Sequence, residues 1–233
     1  MTAQDVGNII SVLLKGLLPA LKIFGFTLLY AIPLGMVVAL LKMSKLRAVS
    51  WLTNLYILIM RGTPLMLQII VVYYAVPMLR LKTGDGLFGS LLNSFDIQSD
   101  SYMFRAVLTA FVLNYAAYFA EIFRGGIESI PKGQYEAAAC LGFGRAQTFF
   151  RIVLPQVFKR VLPAGTNEII TLVKDTSLAN TVAYAEITLK AKQQMQAYSS
   201  LVPLFIAGAV YFLLAMLLTV ISAALEKKLS YYK

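Results

Sequence analysis

Five long apolar stretches restrict what this chain can fold into. A helix needs about 20 predominantly apolar residues to cross the hydrocarbon core of a bilayer. The five stretches that meet this requirement cover residues 23–41, 51–79, 104–123, 155–174 and 202–225, and only Arg61 interrupts the second of them. We therefore predict an all-α integral membrane protein, a single transmembrane domain over residues 1–233 with five transmembrane helices.

The composition agrees with a membrane protein and excludes other classes. Of the 233 residues, 59% are hydrophobic and 14% are charged, and the mean hydropathy of +0.73 is far from that of a soluble domain. The net charge of +10 predicts no nucleic-acid partner, because the basic residues lie in short clusters beside the apolar stretches. The single cysteine, Cys140, and the absence of histidine predict neither a disulfide, nor a metal site, nor a catalytic residue.

The distribution of Lys and Arg predicts the orientation in the membrane. With the N-terminus outside, the segments facing the cytoplasm carry more basic residues than the outer segments, as the positive-inside rule requires. This arrangement places residues 131–155 and the C-terminus in the cytoplasm. The start, MTAQDVGNII, lacks the features of a removable signal peptide, and residues 5–22 are predicted to form an amphipathic segment at the membrane surface.

Residues 131–155 form a polar and basic interlude within this hydrophobic chain. Good helix formers fill residues 134–141, and Gly142 follows as a plausible helix stop. A second short helix fits residues 145–153 and is expected to end at Leu154-Pro155. The segment predicts a compact helix-turn-helix that fits a groove on a partner, or alternatively an ordinary hairpin packed on its own protein.

The same segment resembles the EAA loop of ATP-binding-cassette (ABC) importer permeases. In that motif EAA is followed after three residues by Gly, after nine more by Ile, and after one more by Leu-Pro. This sequence has every fixed residue: Glu136, Ala137, Ala138, Gly142, Ile152, Leu154 and Pro155. Flanking residues are similar to the polar amino acid uptake branch. The resemblance implies the type I importer transmembrane fold, with the loop coupling the chain to an ATPase.

The partners also follow from this resemblance. The sequence contains no Gly-Lys pair, so it lacks the phosphate-binding loop that an ATPase needs. The chain is therefore expected to be no enzyme and to bind no cofactor; ATP and Mg belong to a separate subunit. The family implies a second permease subunit, identical or different, two ABC ATPase subunits, an external substrate-binding protein and an amino acid substrate, at a bacterial inner membrane.

Charged side chains inside predicted spans are costly and are candidate functional residues. Arg61 opens the sequence Arg61-Gly62-Thr63-Pro64, where the proline removes a helix donor and can expose backbone groups to a cavity. The alternative is a structural kink with Arg61 near the membrane surface. Glu168 lies well inside the fourth span and predicts either a structural pair, with Arg61 for example, or a ligand contact.

Lys174, Asp175, Thr176 and Ser177 are the strongest candidates for substrate contact. An interrupted helix at this point would expose backbone groups to the carboxylate and amino group of an amino acid. Asp175 is assigned to the amino group, and the two hydroxyls are assigned to ligand orientation. The alternative is an outer cap of the fourth span. We expect Gln68, Asn114 and Tyr115 to line the pocket.

Glu121 and Arg124 lie three residues apart at the end of the third span and predict a structural salt bridge. Taken together, the sequence predicts the permease subunit of an ATP-driven importer of polar amino acids that works by alternating access. The alternative is an ion-coupled secondary carrier of small polar solutes that uses Glu168 and Asp175 as cation sites.

Overall fold

The computed structural model describes residues 2–82, 96–97 and 99–229, and every regular element within these ranges is a helix. The predicted all-α fold class is confirmed for this part of the chain. The predicted cytoplasmic end at residues 230–233 lies outside it. The helices are α1 Ala3–Lys15, α2 Leu17–Lys42, α3 Arg47–Gly62, α4 Leu65–Lys82, α5 Asp100–Glu128, α6 Lys132–Cys140, α7 Arg145–Thr148, α8 Leu154–Asp175, α9 Ile187–Tyr198 and α10 Val202–Leu229.

Four helical segments are long and apolar enough to cross a membrane. They are Gln4–Lys42, Leu65–Lys82, Asp100–Glu128 and Val202–Lys228. Predicted spans 23–41, 104–123 and 202–225 lie within α2, α5 and α10. The helices α3 and α8 are not among the four, so the count of five spans stays a prediction.

The predicted span 51–79 is two helices rather than one. The first, α3, ends at Gly62, and α4 begins at Leu65. Thr63 between them is extended, with φ of −120° and ψ of 147°. A residue that precedes proline is pushed out of the helical region, and Pro64 itself has no N–H to donate. The break therefore follows directly from the Thr63-Pro64 dipeptide.

The helix α5 forms the centre of the fold and packs against α2, α3, α4 and α8. Its inward face is largely apolar. One of its polar side chains, Tyr102, replaces a missing helical hydrogen bond in α4: its hydroxyl donates to the carbonyl of Tyr73 at 2.6 Å. That carbonyl lies four residues before Pro77 in α4, so the proline leaves it without an intrahelical partner.

The contact between α2 and α5 depends on Gly35. A Cβ atom on this residue would lie 2.6 Å from Phe119 Cβ and 3.1 Å from the carbonyl oxygen of Ala116. Both neighbours belong to the rigid helix α5, so neither can move aside easily. Small residues allow helix backbones in membranes to approach one another in this way.

A second, smaller core joins the two ends of the chain. Ile9 and Leu13 of α1 pack with Ile187 and Ala191 of α9 and with Ala207 of α10. Glu186 caps the start of α9: its fully buried carboxylate accepts hydrogen bonds from the backbone N–H groups of the first turn. The N-terminal segment is therefore packed on the protein along one face.

Replacement of Gly35 by alanine is expected to destabilise the fold by about 1–3 kcal/mol, because the added methyl group overpacks the contact of α2 with α5. The matched control is Gly25→Ala on the same helix, where a Cβ atom would meet nothing within 4 Å. Thermal unfolding in detergent, followed by size-exclusion chromatography of heated samples, measures the difference. Equal stability of the two variants would contradict the close-contact assignment.

Candidate functional site

Two neighbouring residues of α5, Asn114 and Tyr115, form hydrogen bonds at the two places where helices are interrupted. Asn114 bonds to the break between α3 and α4, and Tyr115 bonds to the end of α8. Both side chains are almost fully buried, with exposed fractions of 4% and 2%. The sequence named both as pocket residues, and the structure brings them to one level of the central helix.

At the first interruption, Pro64 removes the donor that the carbonyl of Met60 would meet in a continuous helix. The Asn114 amide donates to this carbonyl at 3.0 Å, and the Gln68 amide donates to it at 2.9 Å. Asn114 also donates to Gln68 Oε1 at 3.0 Å, and Gln68 donates to the Thr63 hydroxyl at 2.8 Å. The side chains replace the missing helical bond, which is the condition for a broken helix at membrane depth.

At the second interruption, α8 ends at Asp175 and the chain continues as a 3₁₀ helix over Thr176–Val182. The Tyr115 hydroxyl donates to Asp175 Oδ2 at 2.7 Å. The Thr176 side chain is fully buried and its hydroxyl donates to the carbonyl of Val173, so in this conformation it does not face a ligand. Ser177 is partly exposed and Lys174 is exposed.

Arg61 and Glu168 do not form the ion pair that the sequence allowed. Arg61 Nη1 lies 3.9 Å from Glu121 Oε2, and the guanidinium carbon lies 5.2 Å from the ring centroid of Tyr118, within the range of a cation–π contact. Within the described ranges, Glu168 makes no ion pair and no hydrogen bond. Its carboxylate is partly exposed and lies within electrostatic range of Arg61 and Asp175 without contacting either.

Glu121 is the centre of a charge cluster that joins three helices. Lys42 Nζ of α2 lies 2.6 Å from one carboxylate oxygen, and Arg124 Nη2 lies 2.8 Å from the other. Arg124 also pairs with Glu128 at 2.6 Å. The sequence predicted the pair of Glu121 with Arg124 but missed Lys42, because no pattern links residues 79 positions apart.

A polar stripe runs along the outer face of α8. Its members are three or four residues apart and so share one face of the helix. Arg160, Asn167 and Lys174 are exposed and Thr171 is partly exposed, and the exposed but apolar Ala164 lies between the first two. Val157, Val161 and Leu172 lie on an adjoining, buried face. Asn167 and Thr171 were not predicted as site residues, although their spacing from Lys174 places them on the same helical face.

The EAA segment begins as a short exposed helix with a glycine stop. The helix α6 covers most of predicted residues 134–141, and the backbone N–H of Phe143 donates to Ala138 at 3.0 Å while that of Gly142 donates to Ala139 at 3.0 Å. This is the Schellman pattern, and Gly142 takes the required left-handed φ of +78°. Glu136 and Ala137 are exposed, whereas Ala138 is buried.

The prediction that a second short helix ends at Leu154-Pro155 is wrong. After α7, residues Phe149–Val153 form a π turn, and α8 starts at once with Pro155 in its first turn. A proline fits the first turn because its missing N–H would have no helical partner there. Ile152 and Leu154 are partly buried, and the most exposed large apolar side chains of the segment are Leu141 at 75% and Phe150 at 65%.

Among the described residues, no group of three or more His, Cys, Asp or Glu side chains is arranged to hold a metal ion. Of the site carboxylates discussed above, Asp175, Glu121 and Glu128 are paired with tyrosine, lysine or arginine, whereas Glu168 is not.

The chain matches the family described as the binding-protein-dependent transport system inner membrane component, over residues 31–231. This chain belongs to that family. Family members are multi-pass proteins of the inner membrane, and the predicted membership of this chain among ABC importer permeases is confirmed.

Curated relatives of this permease span nearly the whole chain. The arginine transport system permease protein ArtQ of Bacillus subtilis is 38% identical over 218 residues, which are 93% of this chain and 92% of the relative. The octopine transport system permease protein OccM of Rhizobium radiobacter is 38% identical over 220 residues, covering 91% and 85%. A solved structure described as an amino acid ABC transporter with histidines superposes with a TM-score of 0.81 at 25% identity, over 98% of this chain and 99% of that one.

Replacement of Tyr115 by phenylalanine is expected to cost about 1–3 kcal/mol of stability, because it removes a hydrogen bond to a carboxylate and leaves Asp175 without this partner. The matched control is Tyr118→Phe, since no described residue hydrogen-bonds to the Tyr118 hydroxyl. Thermal unfolding in detergent reports both variants. A loss no larger than that of the control would show that the Tyr115 hydroxyl is not needed.

Proposed function

We propose that this chain is the membrane-spanning permease subunit of an ATP-driven importer of polar amino acids. The observation that carries the proposal is the polar stripe on α8. Charged and amide side chains are costly against lipid hydrocarbon, and the rest of this chain leaves the stripe uncovered. It therefore suits the wall of an aqueous pathway that a second permease subunit completes.

The substrate class follows from the groups beside the stripe. Relatives bear the names of arginine, octopine, L-cystine and glutamine transport systems, and these solutes share a carboxylate and an amino nitrogen. Asp175 and Glu168 offer carboxylates to an amino group, and Lys174 and Arg61 offer cations to a carboxylate. The interrupted backbone after Asp175 adds donors and acceptors of the kind that hold substrates in transporters. A polar amino acid fits this set.

The partners in the proposal are those of an ABC importer. ATP and Mg act on two separate ATPase subunits, an external binding protein delivers the amino acid, and this chain is no enzyme. The EAA segment seats in a groove of one ATPase, with Leu141 and Phe150 as exposed apolar anchors. The N-terminus lies outside, and the EAA segment and the C-terminus lie in the cytoplasm.

Coupling in this scheme uses the continuous helical path from the EAA segment to the interrupted helix. The helix α6 packs against α7 and the π turn, and the path then follows α8 to Asp175. Closure of the ATPase dimer moves α6, and α8 transmits the displacement to the pathway. This sequence of steps is alternating access driven by ATP.

Replacement of Gly142 by valine is expected to lower ATP-driven uptake tenfold or more, because a β-branched residue resists the left-handed conformation that ends α6. Open space surrounds the position, so the effect is conformational rather than steric. Gly142→Asn is the matched control, since asparagine tolerates this conformation, and it is expected to retain most uptake. Comparable uptake by the valine and asparagine variants, at equal amounts in the membrane, would contradict the role of the turn.

The main experiment measures uptake of radiolabelled amino acids into proteoliposomes that hold this chain with its co-purifying partners. Uptake is expected to require ATP and the binding protein. Thr171→Val on the stripe is expected to lower it about fivefold. The matched control is Thr219→Val on α10, because both hydroxyls donate to the carbonyl four residues earlier. Uptake driven by an ion gradient without ATP would instead identify an ion-coupled carrier.

A further inference from the structure

A polar cleft of about 460 Å³ lies at the ends of two of the candidate membrane spans. One wall is the last residue of α2, Lys42, with the turn that follows it. Arg124 and Glu128 in the last turns of α5 form another wall, and the first two turns of α3 form the third. A site at the ends of spanning helices lies at the depth of lipid headgroups.

The lining of this cleft has an excess of positive charge. Four basic side chains face it, from Lys42, Lys45, Arg47 and Arg124, against the single carboxylate of Glu128. Lys42 and Arg124 are already paired with Glu121 and Glu128. Lys45 and Arg47 are exposed and make no ion pair with any residue of the described ranges. These two cations are the part of the cleft without a counter-charge.

The turn that carries these cations is held in place by its own hydrogen bonds. The Ser50 hydroxyl donates to the carbonyl of Lys42 at 2.7 Å and closes the turn, and the backbone N–H of Leu46 donates to the Ser44 hydroxyl at 3.2 Å. The first turn of α3 has no side-chain cap and no acidic residue. Its backbone N–H groups thus add to the attraction for an anion beside Arg47.

The remaining wall suits a lipid rather than a free ion. Trp51 lines the cleft and lies one turn after Arg47, so the indole and the guanidinium share one face of α3. Trp51 is 63% exposed, and Leu46, the residue before α3, is 67% exposed. Tryptophan with an apolar neighbour is typical of the membrane interface. A headgroup among the cations would place its acyl chains along this apolar edge.

We propose that the cleft binds the phosphate of an anionic phospholipid, with Lys45 and Arg47 as its principal contacts. The phosphate supplies the missing counter-charge, and the glycerol and acyl chains lie against Trp51. Phosphatidylglycerol fits this arrangement, whereas phosphatidylcholine brings a choline cation toward the basic residues. The site is separate from the α8 stripe and from the EAA segment, so it stands or falls independently of the transport proposal.

The test uses Trp51 as the reporter, because it is the only tryptophan of the chain. The full chain in neutral detergent is titrated with phosphatidylglycerol or phosphatidylcholine brominated near the top of the acyl chains, and quenching of the indole fluorescence is followed. Each basic residue near an anionic lipid contributes about fivefold in affinity. Phosphatidylglycerol is therefore expected to quench at a mole fraction about 25-fold lower than phosphatidylcholine.

The double variant Lys45→Gln with Arg47→Gln is expected to remove most of this preference. Its unchanged emission in unbrominated lipid would show that the local fold is intact. The matched control is Lys15→Gln with Lys22→Gln, which removes the same charge from exposed positions in α1 and α2 outside the cleft. Equal quenching by both lipids in the original chain, or a preference that survives in the double variant, overturns the proposal.

A further arm separates a lipid phosphate from a free one. Inorganic phosphate is added at fixed ionic strength, with chloride as the reference salt. The preference for phosphatidylglycerol is expected to be the same in both salts. Loss of the preference in phosphate alone would show that the cleft takes a free anion and would overturn the assignment to lipid.

Discussion

The structure depends on the requirement that a backbone carbonyl inside a membrane must find a donor. Pro64 and Pro77 each remove the donor that a carbonyl four residues earlier would meet, and in both cases α5 supplies the replacement. Asn114 donates to Met60, and Tyr102 donates to Tyr73. The central helix therefore does more than fill the core, because it carries the hydrogen-bonding groups that make broken neighbours tolerable. This role accounts for the polar side chains buried along a helix that is otherwise apolar.

The two helix interruptions, at the break between α3 and α4 and at the end of α8, are both hydrogen-bonded to α5. Tyr115 connects it to the end of α8, and one residue earlier Asn114 connects it to the end of α3 and to Gln68 of α4. Toward the end of α5, Glu121 forms ion pairs with Lys42 and Arg124 and lies near Arg61. Contacts of this kind allow helices to tilt as units about a shared element while their local bonds remain made.

The elements that local chemistry decides were predictable from the sequence. The lengths of apolar stretches located α2, α5 and α10, and the Gly142 stop fixed the end of α6. The stripe on α8 was missed because a search for apolar spans averages polar and apolar faces of a helix. The orientation of Arg61 toward Glu121 and Tyr118, rather than toward Glu168, depends on helix packing that no spacing reveals. Pro155 was misread because a proline stops a helix that precedes it but equally starts one that follows.

The π turn at Phe149–Val153 sets the phase between the two ends of the helical path. A turn of this type holds one more residue than an α turn, and one residue corresponds to about 100° of rotation around a helix axis. The face that α7 presents near the EAA segment and the face that α8 presents along its stripe are therefore offset by that angle. A single inserted or deleted residue at this point would turn one functional face away from its neighbour while leaving every helix intact. The π turn thus sets the angle between the surface near the EAA segment and the stripe on α8. The sequences of these two surfaces can change separately.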